Sequence, residues 1–96
     1  MKVYRRTAAT LFAEIDQDVV ALQPDRGFCF GMEEVTAEVW RILAEPTTEQ
    51  ALCDRLMALY EVDADTCRSD INLLLQQMLG EGLIEAIDLK PASAGR

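Results

Sequence analysis

The chain contains no histidine, and that absence removes much of the chemistry open to its 96 residues. A serine or cysteine nucleophile lacks the base that most often activates it. A zinc site lacks the imidazoles that usually complete it. Cysteine is scarce as well: Cys29, Cys53 and Cys67 stand far apart and form no Cys-x-x-Cys pair. An odd count of this kind argues against a disulfide framework, and reduced thiols in a cytoplasm fit it best. No metal and no cofactor are expected. Cations are few, nine Lys and Arg against 17 Asp and Glu, for a net charge of −8. That balance argues against nucleic acid, whose phosphates need clustered cations, and against anionic membrane surfaces. No apolar run approaches the ~20 residues of a membrane span. The positive start, Met1-Lys2-Val3-Tyr4-Arg5-Arg6, lacks the apolar stretch of a secretory signal.

What is present is hydrophobic substance. Half of the residues are apolar, enough for one small core at this length. The stretch from Asp25 to Trp40 organises the rest. Pro24-Asp25-Arg26-Gly27 is a turn, with proline fixing φ and glycine tolerating a positive one. Phe28-Cys29-Phe30 favours a strand. From Glu33 the period changes, and Val35, Val39, Ile42 and Leu43 recur at helical spacing beside the only tryptophan, Trp40.

Around this pivot the chain divides simply. Residues Met1 to Ala9 lack periodicity and read as a loose lead-in. Thr10 to Ile15, Val19 to Gln23 and Phe28 to Met32 read as three strands. Their connections are too short for crossovers, so the order is an antiparallel meander. A first helix is expected over Glu33 to Ala44, ended by Glu45-Pro46. Thr47 and Gln50 fit a capping box for a second helix, Thr48 to Tyr60, with Leu52, Leu56, Leu59 and Tyr60 as its apolar face. Asp63 or Asp65 can cap a third helix. Its stripe is Ile71, Leu74, Leu75, Met78 and Leu79, and Gly80 and Gly82 stop it. The expected fold is α+β and winged-helix-like, a three-stranded antiparallel meander packed on three helices (βββααα). It forms a single domain over residues 1–88, and residues 89–96, rich in Pro, Ala, Ser and Gly, form a disordered tail.

Chemistry of the catalytic kind finds no support. An acidic helical chain of this size suggests an acyl carrier, but the order Arg68-Ser69-Asp70-Ile71 is wrong for an attachment serine and lies inside the third helix. The winged-helix layout suggests DNA binding as the alternative function, yet the third helix offers Asp65, Asp70, Gln76, Gln77 and Glu81 against one cation, Arg68. A binding module remains. The third strand of the meander has an unpaired edge, which can accept a guest strand through main-chain hydrogen bonds. The same edge can equally pair with a second copy, which leaves a homodimer open. Trp40, Phe30 and Met32 are expected in the core, and packing is the default for Cys29 too.

Residues Asp18 to Ile84 resemble the PqqD-like peptide-recognition elements of pathways that modify ribosomally made peptides. The resemblance is strongest to the stand-alone leader-binding proteins of lasso-peptide clusters. It rests on the Arg26-Gly27 turn into an aromatic strand, and on Phe30-Gly31-Met32 leading to a helix that ends Ala37-Glu38-Val39-Trp40. Further along, it rests on Tyr60-Glu61-Val62-Asp63, on Ser69-Asp70-Ile71, and on the ending Leu79-Gly80-Glu81-Gly82-Leu83-Ile84. Four positions depart from the family's habit. Met32-Glu33 stands for Leu-Asn, Cys29 for Tyr, and Thr36 for Gly. The resemblance implies a non-catalytic protein that binds the leader of a precursor peptide as an added strand beside the third strand. It also implies two partner enzymes, a leader-removing cysteine protease and an ATP-dependent macrolactam-forming cyclase. The groove so implied runs along Arg26, Gly27, Phe28, Cys29, Phe30, Gly31 and Met32. Its helical wall draws on Ile71, Leu74, Leu75 and Met78, with Arg68 and Asp70 as a charged rim.

Overall fold

The computed structural model describes residues 1–8, 10–24 and 27–89, with the backbone alone for Phe28. The elements are β1 (Lys2–Arg6), β2 (Leu11–Ile15), β3 (Asp18–Gln23), β4 (Phe28–Met32), α1 (Glu34–Ile42), α2 (Glu49–Leu59), α3 (Ala64–Gly80) and β5 (Ile84–Asp88). The fold is α+β, with the antiparallel meander β2-β3-β4 and three helices as expected. The third strand of the sequence reading is β4.

The lead-in is corrected. Residues expected to be loose form β1, which pairs antiparallel with β5 from Lys2↔Asp88 to Arg6↔Ile84. Local pattern could not show it, because the adjacent residues Val3 and Tyr4 are both buried and so break the period of two. Their partner strand lies some 80 residues away in the sequence. Tyr4 also exchanges backbone bonds with Thr47, at 2.8 and 3.0 Å, so β1 is clasped from both sides.

That clasp moves the cap of α2. Thr47 is occupied by the bridge, and Thr48 is the N-cap, its hydroxyl accepting from the Ala51 N–H at 3.1 Å. The buried face of α2 is Leu52, Cys53 and Leu56. Leu59 and Tyr60, expected on that face, are 58% and 39% exposed. They stand at the corner where the chain leaves α2, and Val62 packs against the core instead. Asp63 caps α3 by accepting from the Thr66 N–H.

The end of α3 is a Schellman motif. Gly82 takes the positive φ of 74° that the motif requires, its N–H donates to Leu79 O, and the Leu83 N–H donates to Met78 O. The motif folds Leu83 back onto Met78 and starts β5. Trp40, Leu43, Leu52, Leu56 and Leu75 form the centre of the core, with Val19, Ala21 and Met32 from the sheet. One buried polar seam crosses it. Gln23 Nε2 donates to Glu81 O at 3.0 Å, and Thr7 Oγ1 donates to Gly82 O at 2.8 Å. The seam fixes the end of α3 against β3, and so against β4 beside it. Among the described residues no helix is long and apolar enough to cross a membrane.

Candidate functional site: a strand edge facing a helix

The hairpin geometry shows which backbone groups of β4 are free. Ile15 and Asp18 flank a two-residue loop, Asp16-Gln17, in which Asp16 supplies the positive φ of 58°. In such a hairpin the flanking pair exchanges both backbone hydrogen bonds. Alternation then turns the groups of Asp18, Val20 and Leu22 toward β2, and those of Val19, Ala21 and Gln23 toward β4. The partners of the latter are Met32, Phe30 and Phe28. Cys29 and Gly31 are left with N–H and C=O directed at the open edge, because β4 is the outer strand of its sheet.

Across from this edge runs α3. A cavity of about 350 Å³ lies between them, walled by Cys29, Phe30, Gly31 and Met32 on the strand side and by Leu74, Gln77, Met78 and Glu81 on the helix side. Thr36 and Leu83 close it. The Gln23–Glu81 bond sets the start of β4 near the C-terminal end of α3. The floor is apolar: Met78 and Met32 are buried, and Leu74 and Phe30 are half-buried. Cys29, on the opposite face of β4 from Phe30 and Met32, is exposed, against the expectation of packing. Leu11, Ile15 and Leu22 on that face of the sheet are exposed too.

The residues named from sequence separate into groups. Gly27, Cys29, Phe30, Gly31 and Met32 are brought together along the edge, although Gly27 lies in the turn. Arg26 lies outside the described residues, as does the Phe28 side chain. Leu74 and Met78 line the groove. Ile71 and Leu75, expected at its floor, are 2% and 0% exposed and belong to the core. Their rows are turned toward α2 and the sheet. Arg68 lines a separate hollow with Glu49, Asp65 and Asn72, away from β4. Asp70 is exposed on the row of Leu74 and Gln77. Sequence reasoning missed Gln77, Glu81, Thr36 and Leu83. Spacing from Leu74 would have found the first two, at i+3 and i+7.

A wider hollow of about 670 Å³ lies between Met1, Val3, Ala51 and Ala58. There the strand backbone is already used, since Tyr4 bonds Thr47 through both its groups. Among the described residues no cluster of His, Cys, Asp and Glu could hold a metal ion.

Residues 18–84 match the family described as Coenzyme PQQ synthesis protein D (PqqD). Among solved structures, one is similar at 30% identity and a TM-score of 0.80, covering 84% of this chain and 94% of the other. It is described as TbiB1 in complex with the TbiA(beta) leader peptide. A second, a lasso peptide synthetase B1 complexed with the leader peptide, is similar in fold at 20% identity and a TM-score of 0.77, covering 85% and 96%. None of the curated proteins matches the chain in sequence. With its groove, its open strand edge and a match spanning β3, β4 and all three helices, this chain belongs to the PqqD family.

Proposed function

We propose that the protein binds the leader region of a ribosomally made precursor peptide as a strand added to β4, and presents it to processing enzymes. The observation that carries this is the pairing of an open edge, Cys29 and Gly31, with an apolar groove walled by Leu74 and Met78. A guest strand would form up to four backbone bonds there and set alternate side chains into the groove. The description of the TbiB1 structure supports the same reading. The site therefore consists of Cys29 to Met32 with Leu74, Gln77, Met78 and Glu81. The role is recognition rather than catalysis, in a cytoplasmic lasso-peptide pathway with a leader-removing cysteine protease and an ATP-dependent macrolactam cyclase. The exposed Leu11, Ile15 and Leu22 face beside the groove offers such an enzyme an apolar landing surface. A homodimer formed through the same β4 edge would compete with the guest.

DNA binding fits the surface poorly. The exposed positions of α3 and its C-cap carry Asp65, Asp70 and Glu81 against Arg68, and the excess of carboxylates repels phosphate.

The test is a proline at the edge. Cys29→Pro removes a donor that faces the guest and not β3, so the fold stays and leader affinity drops about tenfold or more. Cys29→Ser keeps affinity within about twofold. Equal affinity of folded Cys29→Pro and the parent for a leader peptide that the parent binds would refute strand addition.

A further inference from the structure

A strand laid between β4 and α3 has two edges, and β4 can satisfy only one of them. Cys29 and Gly31 direct their N–H and C=O at the groove, whereas the groups of Phe30 and Met32 face Ala21 and Val19 of β3. A guest that runs antiparallel to β4, as β3 does, therefore gives its groups to β4 at the residues opposite Cys29 and Gly31. The guest residue between them stands opposite Phe30. Its side chain falls on the Phe30 face, over the apolar floor, and its own N–H and C=O point away from β4, toward α3. The anchored residue of the guest is thus the one whose backbone β4 leaves unpaired. Backbone groups taken from water without a partner are costly.

The helix wall holds a side chain suited to that residue. Apart from Cys29, the polar side chains lining the groove among the described residues are Thr36, Gln77 and Glu81. Thr36 belongs to α1, and a Glu81 carboxylate only accepts. Gln77 lies on α3, one turn after Leu74 and next to Met78, and it is exposed where Met78 is buried. It therefore stands at the lip of the wall, above the floor. Its main-chain oxygen accepts from the Glu81 N–H at 3.0 Å, while its side-chain amide has no partner among the described residues. That amide carries a donor and an acceptor, which match the C=O and N–H that one extended residue presents on one side.

We infer that Gln77 grips the guest by its main chain on the edge away from β4. Its Nε2 donates to the C=O, and its Oε1 accepts from the N–H, of the residue whose side chain sits against Leu74 and Met78. The inference rests on the strand-addition reading and adds a second line of hydrogen bonds, one that fixes where the anchor stands whatever its side chain. The probe is a peptide selected on the intact chain from a random display library, its amides replaced one at a time by esters, each of which removes one N–H. Gln77→Met keeps the length of the side chain and removes its polar atoms. The folded variant should bind the all-amide probe about fivefold or more weakly than the parent does. One ester that weakens binding to the parent should cost less than about twofold on Gln77→Met. The esters on either side of it, whose lost N–H groups face β4, should keep their cost on both proteins. Parent-like affinity of Gln77→Met, or every ester costing the same on the two proteins, overturns the inference alone. A probe that folded Cys29→Pro binds as tightly as the parent, esters that cost nothing at any position, or a selection that yields no binder overturns strand addition and the inference with it.

Discussion

At the end of α1, Trp40 has no exposed surface, and three segments meet on it. Phe12 of β2 approaches edge-on, with ring centroids 5.6 Å apart. The Arg6 guanidinium of β1 lies against both rings, 4.5 Å from the Phe12 centroid and 4.7 Å from that of Trp40. Arg6 Nε donates to Trp40 O at 2.8 Å. Desolvation there lowers the Arg6 pKa, with Glu14 opposing. Trp40→Ala should cost ~3–5 kcal/mol by denaturant titration. Trp40→Phe should cost much less, since it keeps a ring for Arg6 and removes an indole N–H that is buried without a partner. A second residue-level prediction concerns thiols. Cys53 and Cys67 are buried side by side between α2 and α3, where burial first, and then Cys67, push the Cys53 thiol up to about 11. Cys29 is exposed. Alkylation of the folded protein near neutral pH should modify Cys29 alone by mass spectrometry, and bound leader should slow it. Modification of Cys53 as fast as Cys29 would contradict this packing.

The elements are held by local devices, one of them pH-sensitive in a defined direction. The Thr66 bond holds the Asp63 carboxyl below its usual pKa. Since the folded value is depressed, the cap contributes stability at neutral pH and loses it as pH falls through that value. Asp63→Ala should therefore lower the melting temperature at pH 7, and the gap to the parent should close in strong acid. Asp63→Asn, a good neutral cap, should show a much smaller gap at either pH. Devices of this kind made much of the fold legible in sequence. The meander is encoded by turns of two and four residues, and the α3 ending by Gly82. The extent of β4 follows from its aromatic run. What lies in the choice of helix rows was less legible. Ile71, Leu74 and Leu75 look alike as letters. Only the placement of α2 and the sheet decides that Ile71 and Leu75 are core while Leu74 meets the groove.

Across the whole molecule the two sheets have different tasks. The pair β1–β5 joins the beginning of the chain to its end, with the Met1 amine donating to Leu89 O at 2.7 Å and the Leu89 N–H to Met1 O at 2.6 Å. Such long-range pairing has no local sequence signal, so β1 is not legible in residues 2–6 alone. The meander is pinned to α1 through Arg41, which binds Glu14 at 2.9 Å and Gln17 O at 2.7 Å. Glu14 raises the pKa of Arg41 through that bond. With its hairpin anchored there and its far end tied through Gln23 to α3, β4 holds its edge opposite the helix before any guest arrives. Preformed geometry of this kind lowers the ordering cost of binding.

The central claim, that a guest pairs with β4 through Cys29 and Gly31, is tested most directly by amide hydrogen exchange measured residue by residue. In the free protein the Phe30 and Met32 amides should be protected by β3, and those of Cys29 and Gly31 should exchange fast. Adding the leader should protect Cys29 and Gly31 and leave Phe30 and Met32 little changed. Leader binding with no added protection at Cys29 and Gly31 would contradict the account.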